Sequence, residues 1–549
     1  MASRKKAPKI TRDDIKGAER VMAVRFRKAE RKRLVVALTD QTGRDLARRA
    51  VDLGNAANPA CQFEPCLPGT PLPSRERFRP SRPTTRKLPA NDADIAFAPL
   101  TELSAWLRKR QITSLRLTEL YLARLKEHDD RLNAVVTLME DHGLKQARRA
   151  DRDIRHGIWR GPLHGVPWGA KDLLDTKGVA TTWGAAPYAD QVPSSDAAVV
   201  RLLDEAGAVL IAKLSLGALA YGDIWHGGRT WNPWNLDEGS SGSSAGSGAT
   251  VAAGCVGFAI GSETLGSIIS PADRCGTVGL RPTFGRVPRT GAMALCWSLD
   301  KLGPLTRGVE DTAFVLEALD RFDARDPGSR DVALDFDARE AIDGMVVGYD
   351  PDWLDGPGGA QADRDALKAL QRAGCRTKRI KLPDLPYDSL ETILFAEAAA
   401  AFEDLTLSGR DRELPDQIDV SWPLEFRMAR LTSAIELIQA DRLRRRVMEA
   451  MADAMSKVDV LLAPQEGNPL LTITNCTGHP AIAVPTGFAA RKDDHYGPAG
   501  NKTKGARLLP HCSVLWGRLY DDGRLIRLAM ALEAELNVRS TMRPPGFEA

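Results

Sequence analysis

The chain has 549 residues, 43% of them hydrophobic and 27% charged, with a formal net charge of +4. That length exceeds the usual single domain and predicts one large domain with appendages, or two to three domains. The ordinary apolar and charged balance excludes a disordered or fibrous chain, and no stretch reaches the apolar length needed to span a bilayer. The charge is uneven: residues 1–50 carry 16 Lys/Arg against 6 Asp/Glu, leaving 60 against 66 in the remainder. A basic arm can meet nucleic acid or an anionic surface. Here acidic residues are interspersed and no aromatic stacking pattern accompanies the charge, so a solvated helical extension is the reading and neither nucleic acid nor membrane is an expected partner.

In chain order, Thr11 followed by Asp13 and Asp14 predicts a helix start, and apolar residues from Ile15 to Leu38 predict one or two amphipathic helices within a basic extension, residues 1–54. Residues 55–93, rich in Pro, Arg and Ser, read as a linker without regular structure. A domain covering 94–549 follows. Helices are expected near Thr101 and Ser114, each with one apolar stripe. From Gly165 to Leu305 short apolar runs alternate with helix-like text, as in VVRLLDEAG then AVLIAKL. Such alternation predicts an α/β fold, a large β-sheet with helices on both faces. Residues 320–455 read as a charged, helical cover. VDVLLAP and HPAIAVPTGF return to buried strands, and RLIRLAMALEAEL closes the chain as a helix.

The basic N-terminus lacks the apolar core of a secretory signal, and the text after Arg48–Arg49 is too short and polar for a twin-arginine signal. The eight cysteines are scattered and complete no zinc set. Reduced thiols in a cytoplasmic protein are the expectation. No HExxH occurs, and no Gly-rich loop carries the GK[ST] of a phosphate cradle, so neither metal nor nucleotide is expected and no cofactor is implied.

The chemistry concentrates in three segments: GSSGSSAGSG at Gly239–Gly248, GSETLGSIISP at Gly261–Pro271, and GPLHGVPWGAKD at Gly161–Asp172. The last holds Lys171 in apolar text. Serines on glycine-rich backbone, with a lysine lacking an adjacent charge partner, are the parts of an acyl-transfer site that needs no histidine. A Gly/Ser/Ala run alone is more often a flexible linker. Here the buried-element text TVAAGCVGFAIG follows at once, which disfavours that reading. His164, His226 and His479 sit in motif text without a Ser–His–Asp pattern and read as packing or substrate contacts. Glu263 and Asp172 read as loop-fixing carboxylates rather than catalytic ones.

From about Leu100 to the C-terminus the chain resembles the amidase signature family. GPLHGVPWGAKD, GAVLIAKL, NPW, the Gly/Ser run, GSIISP, CGTVGLRPTFGRV and LDKLGPLTR occur in family order, followed by VDVLLAP and HPAIAVPTGF. The resemblance implies a large mixed β-sheet core covered by helices, with the catalytic core at about 160–310. It also implies a Ser–cis-Ser–Lys triad: Lys171 as base, Ser267 as nucleophile and Ser243 as the bridging serine. Counting from Asn232 and back from Ser267 selects Ser243, with Ser240 and Ser244 as the alternatives. The backbone N–H groups of Thr264, Leu265 and Gly266 would form the oxyanion hole. A lysine titrates near ~10.4 in water, so Lys171 could act as a base only if desolvated.

Two departures from the common family text matter. Many members read GTDxGGSIR around the nucleophile where this chain has GSETLGSII, so Glu263, Leu265 and Ile269 replace Asp, Gly and Arg. The usual Arg–Asp loop contact therefore cannot form, and another stabilisation is expected. The family includes the glutamine-hydrolysing component of tRNA amidotransferase, which grips glutamine through an arginine and an aspartate. The corresponding text here is FRMARLTSAIELI, and Asn468 falls near the aspartate position, so that charged pair is not evident. ITRDDIKGAERVMAVRF faintly resembles the small C component of the same complex. The expectation is a self-standing hydrolase of an uncharged small-molecule amide, aryl amide, carbamate or ester, with the oligomeric state, a homodimer included, left open. An amidotransferase-like component comes second and a non-catalytic family member third.

Overall fold

The computed structural model describes residues 9–548 except 50, 52, 84–85, 419 and 492–506; the first eight residues of the expected basic extension lie outside that set. Its centre is an eleven-stranded mixed sheet. In chain order the strands are β1 Val135–Leu138, β2 Pro167–Lys171, β3 Val209–Leu214, β4 Phe258–Glu263, β5 Val278–Arg281, β6 Lys301–Thr306, β7 Val346–Tyr349, β8 Arg376–Arg379, β9 Val460–Pro464, β10 Ala481–Arg491 and β11 Arg507–Gly517. Their spatial order is β8-β7-β9-β11-β10-β5-β6-β4-β2-β3-β1. The expected mixed sheet surrounded by helices is therefore present.

Two parallel neighbours, β4 and β3, flank β2. All three strands are buried along their whole length, which is why PWGAK, VLIAKL and FAIGSE read as continuous apolar or small-residue text rather than as an alternation. Trp168 and Phe258 are register partners on β2 and β4, and their rings stack at 5.9 Å between centroids. That contact fixes the β2–β4 register, and with it the relation between the ends of the two strands. On the other side β6 pairs antiparallel with β4, setting Lys301 opposite Glu263.

The cover region is not all helical. Beside helices such as Ala434–Met455 it contributes β7 and β8 to the sheet edge. Strand β8 is RTKR, mostly exposed, and a charged edge strand guards against unwanted pairing while hiding its strand character from a hydrophobicity reading.

The N-terminal extension forms two helices, Arg12–Val21 and Lys28–Arg49. Thr11 and Asp14 make a reciprocal cap: Asp14 N–H donates to Thr11 Oγ1 and Thr11 N–H to Asp14 Oδ2. Arg31 then clamps Glu19 with two bonds of 2.8 Å, tying the helices together. The following stretch, expected as a linker, lacks helix over most of its length but is not free. Phe63 packs edge-on against Phe284 at 5.2 Å and Glu64 pairs with Arg330 at 3.0 Å. Arg77–Arg79 forms a parallel strand with Asp335–Asp337, and the Arg77 guanidinium bonds Asp335, Asp337 and Glu340. This stretch is a strap pinned to Phe284, Arg330 and the segment from Asp335 to Glu340. Among the described residues no helix is long and apolar enough to cross a membrane.

Candidate active site

Lys171 ends β2, and Ser262 lies near the end of its neighbour β4, so the two meet at one rim of the sheet. The lysine is fully buried. Its Nζ lies 2.8 Å from Ser243 Oγ, 3.0 Å from Ser244 Oγ and 2.9 Å from Ser262 Oγ, with Ser262 O at 3.4 Å. No carboxylate pairs with it among the described residues. Burial pushes its pKa well below the ordinary lysine value, opposed by the more distant charges of Asp300 and Glu263. A neutral amine retains the lone pair that an ammonium lacks, and can accept a proton.

The three candidate serines of the Gly/Ser run are separated by their contacts. Ser240 Oγ donates to Ser241 O and makes no bond to Lys171. Ser244 Oγ is engaged by the main chain of Ser262, accepting from its N–H and donating to its carbonyl, both at 3.2 Å. Ser243 touches Lys171 without such a main-chain clamp, and the Gly242–Ser243 peptide bond is cis. Gly242 is required by space, because a Cβ there would sit 1.8 Å from Gly222 O.

Ser267 approaches through its backbone: Ser244 N–H donates to Ser267 O at 3.2 Å. Its hydroxyl makes no hydrogen bond among the described residues, and the residue is 9% exposed, at the boundary between core and solvent. Lys171 and Ser243 are thus in direct contact, whereas Ser267 is brought alongside with its hydroxyl unengaged. The turn before it holds Gly266 at φ +94°, where any side chain would also crowd Ser270 Oγ and Leu471. The backbone N–H groups of Thr264, Leu265 and Gly266 donate to no acceptor among the described residues, so the turn presents donors rather than consuming them.

A residue that sequence reasoning left without a partner now has one. Glu263 accepts from the N–H groups of Ile268 and Ile269 at 2.8 and 3.0 Å, from Arg281 at 2.7 Å and from Asn475 at 3.0 Å. Arg281, from β5, takes the place of the arginine that the loop itself lacks. Burial raises the Glu263 pKa, but Arg281 and the two N–H groups outweigh it and hold the carboxyl below its usual value.

Two contributors were not singled out from sequence. Ser262 binds Lys171 from the neighbouring strand. Asp300 accepts Thr264 Oγ1 at 2.6 Å and the N–H groups of Leu295 and Cys296, tying the turn to the segment ahead of β6. The register that sets Lys301 opposite Glu263 is the signal, since it carries Asp300 toward Thr264.

Asp172 is a structural ion: it lies 3.0 Å from fully buried Lys213 and accepts from Thr182 N–H and Oγ1. Burial lowers the pKa of His164 to about 4 and of His479 to about 3, and lowers that of His226. None of these three bonds Ser243 or Ser267; His226 meets Thr182 and His479 meets Thr477. Among the described residues no His/Cys/Asp/Glu group is arranged to hold a metal. A cavity of about 100 Å³ is lined by Leu173, Ala220, Met293, Leu295, Trp297 and Leu302, and reaches Thr264, Asp300 and Ser262, the last of which binds Lys171.

A sequence model of the family described as Amidase matches residues 116–492. The chain is 31% identical over 490 residues to the A component of the glutamyl-tRNA(Gln) amidotransferase of Carboxydothermus hydrogenoformans, covering 80% of this chain and 97% of that one. Among solved structures, the peptide amidase of Stenotrophomonas maltophilia superposes with a TM-score of 0.70 at 29% identity, over 82% of this chain and 99% of the other. A chain from a structure described as a vestigial protein complex that reveals the evolutionary origins of an s-triazine catabolic enzyme superposes with a TM-score of 0.71 at 26% identity, over 80% of this chain and 99% of the other.

Proposed function

The chain belongs to the amidase signature family, and from that premise we propose that it hydrolyses the C–N bond of an uncharged amide through an acyl-enzyme. Ser267 Oγ attacks the carbonyl carbon. Its proton passes to Ser243, whose own proton passes to neutral Lys171. The tetrahedral oxyanion is held by N–H groups of Thr264, Leu265 and Gly266. Running the relay backwards protonates the departing amine, and water then repeats the sequence to release the acid. The observation that carries this reading is Lys171, fully buried without an ion pair and bonded to serine hydroxyls.

A second reading, the glutamine-hydrolysing component of an amidotransferase, is favoured by the similarity to the Carboxydothermus protein. The two arginines of FRMARLTSAIELI and Asn468 are otherwise engaged. Arg427 pairs with Asp411 at 2.6 Å and Arg430 with Glu403 at 3.3 Å, while the Asn468 side chain caps Leu470 N–H. These contacts favour an uncharged substrate. Labelling by a fluorophosphonate, followed by a panel of amides, anilides, carbamates and glutamine with the isolated chain, tests both. Ser267 labelling with anilide turnover supports the first reading. Glutamine turnover that appears only with a partner protein supports the second; an unlabelled Ser267 in the isolated chain removes the first, and in the assembled complex removes the second.

A further inference from the structure

We infer that the N-terminal strap is part of the substrate site: Asn55 clamps it so that Ala56 and Asn58 form the outer rim of the cavity that reaches Ser262 and limit the size of the group lodged there. This rests on the hydrolase reading above.

The clamp is reciprocal. Ala294 N–H donates to Asn55 Oδ1 and Asn55 Nδ2 donates to Ala294 O, each at 2.8 Å, with a further reach to Ala401 O at 3.5 Å. An amide side chain that both gives and takes on one residue's backbone imitates a strand pairing, and it fixes the strap more firmly than a single bond. Ala294 itself lines the cavity, as do Ala56 and Asn58, one and three residues beyond the clamp. The cavity's inner wall is Ser262 and Thr264: the first binds the catalytic lysine and the second opens the oxyanion turn. The cavity thus has the strap on one side and, on the other, Ser262 and Thr264, the neighbours of Lys171 and of the turn that leads to Ser267.

Size and chemistry define what fits. A dry cavity of about 150 Å³ accepts benzene, so the about 100 Å³ here takes a smaller, short aliphatic group. The apolar walls from Leu173, Met293, Leu295, Trp297 and Leu302 suit such a group. The charged groups of the lining are occupied: Asp300 holds Thr264 and two N–H groups, Arg289 is bound to Asp326 and Arg325 to Asp323, while the buried Trp297 Nε1 makes no hydrogen bond among the described residues. None of these charges is left to receive a charged substituent.

The test compares rates of Ser267 labelling by two alkyl fluorophosphonates, one with a methyl and one with an octyl chain, in the full-length protein. Attack forms an O–P bond and expels fluoride, so the readout needs no knowledge of the natural substrate. Asn55→Ala, which releases the strap, should raise the octyl-to-methyl ratio about ten-fold. Ala56→Trp, which thickens the rim, should lower it by a similar factor. Glu64→Gln, which loosens the strap at its exposed bridge to Arg330 and away from the cavity, should keep the wild-type ratio. A general loss of activity changes both rates together and leaves the ratio where it was. If Ser267 is labelled and the ratio stays within two-fold in Asn55→Ala and Ala56→Trp, the strap has no role in specificity and the hydrolase reading stands. If the wild-type chain is not labelled by either probe, the hydrolase reading falls and this inference falls with it.

Discussion

Glu263 and Arg281 form an ion pair of 2.7 Å with both side chains fully removed from solvent. Arg281 also donates to Thr474 Oγ1 and His479 O, so it binds the loop that carries Ser267 to the segment before β10. Breaking one side of a buried pair strands the other charge, which costs about 3–5 kcal/mol. Arg281→Met is expected to lose that much in urea unfolding; a midpoint matching the wild type would show that the pair is not what holds the loop. The Glu263 carboxyl is depressed in the folded state. Its contribution is therefore present above the pKa of an unfolded glutamate and is lost as pH falls through the folded value, so wild-type stability should drop on acidification below the ordinary glutamate range.

Lys171 carries the opposite linkage. Its folded pKa is lowered by burial, so the unfolded chain holds a proton that the folded chain releases, and stability rises with pH between the two values. Lys171→Met removes this dependence. Relative to wild type, the variant should be most stabilised near neutral pH, with the difference shrinking as pH rises through the ordinary lysine range, and it should be inactive. Paired melting curves at neutral and alkaline pH check this; a constant difference would mean that Lys171 is charged in the fold.

Ser243→Ala should slow acylation by about 10²–10⁴, the usual weight of a positioned proton relay. Ser240→Ala should change the rate only several-fold, because that hydroxyl is spent on Ser241 O. Single-turnover rates of probe labelling measure both, and the reverse ranking would move the relay to Ser240.

Thr264→Val deletes the bond to Asp300 while leaving the backbone N–H in place. The turn at residues 264–266 then loses its tether but keeps its N–H groups. The expected fall in kcat is about ten-fold, less than the about 10²–10³ that follows removal of a donor. A fall in kcat/KM with kcat unchanged would place Thr264 in substrate binding instead.

The residues that chain text exposed were those whose signal is local. Thr11 and Asp14 are three positions apart and cap a helix by themselves. Lys171 stands out by its apolar neighbours, while Ser243 and Ser267 were expected from the family resemblance. What stayed hidden depends on which strands become neighbours. Arg281 reaches Glu263 only because β6 lies between β5 and β4, and Ser262 meets Lys171 only because β2 and β4 run side by side. Strand β8 was missed because RTKR has no buried face to read, and the strap because Pro and Arg-rich text looks the same whether it is loose or pinned.

The strap also constrains how the chain is made. Arg77 and its partner Asp335 are separated by 258 positions, so the early segment leaves the ribosome long before its docking strand exists. At ordinary elongation rates that interval lasts roughly 13–50 s. During it the Phe63 ring and the Arg77 guanidinium have nowhere native to go. Closing so wide a loop comes late in acquiring the native topology, and the strap is then among the last parts of the chain to be set in place.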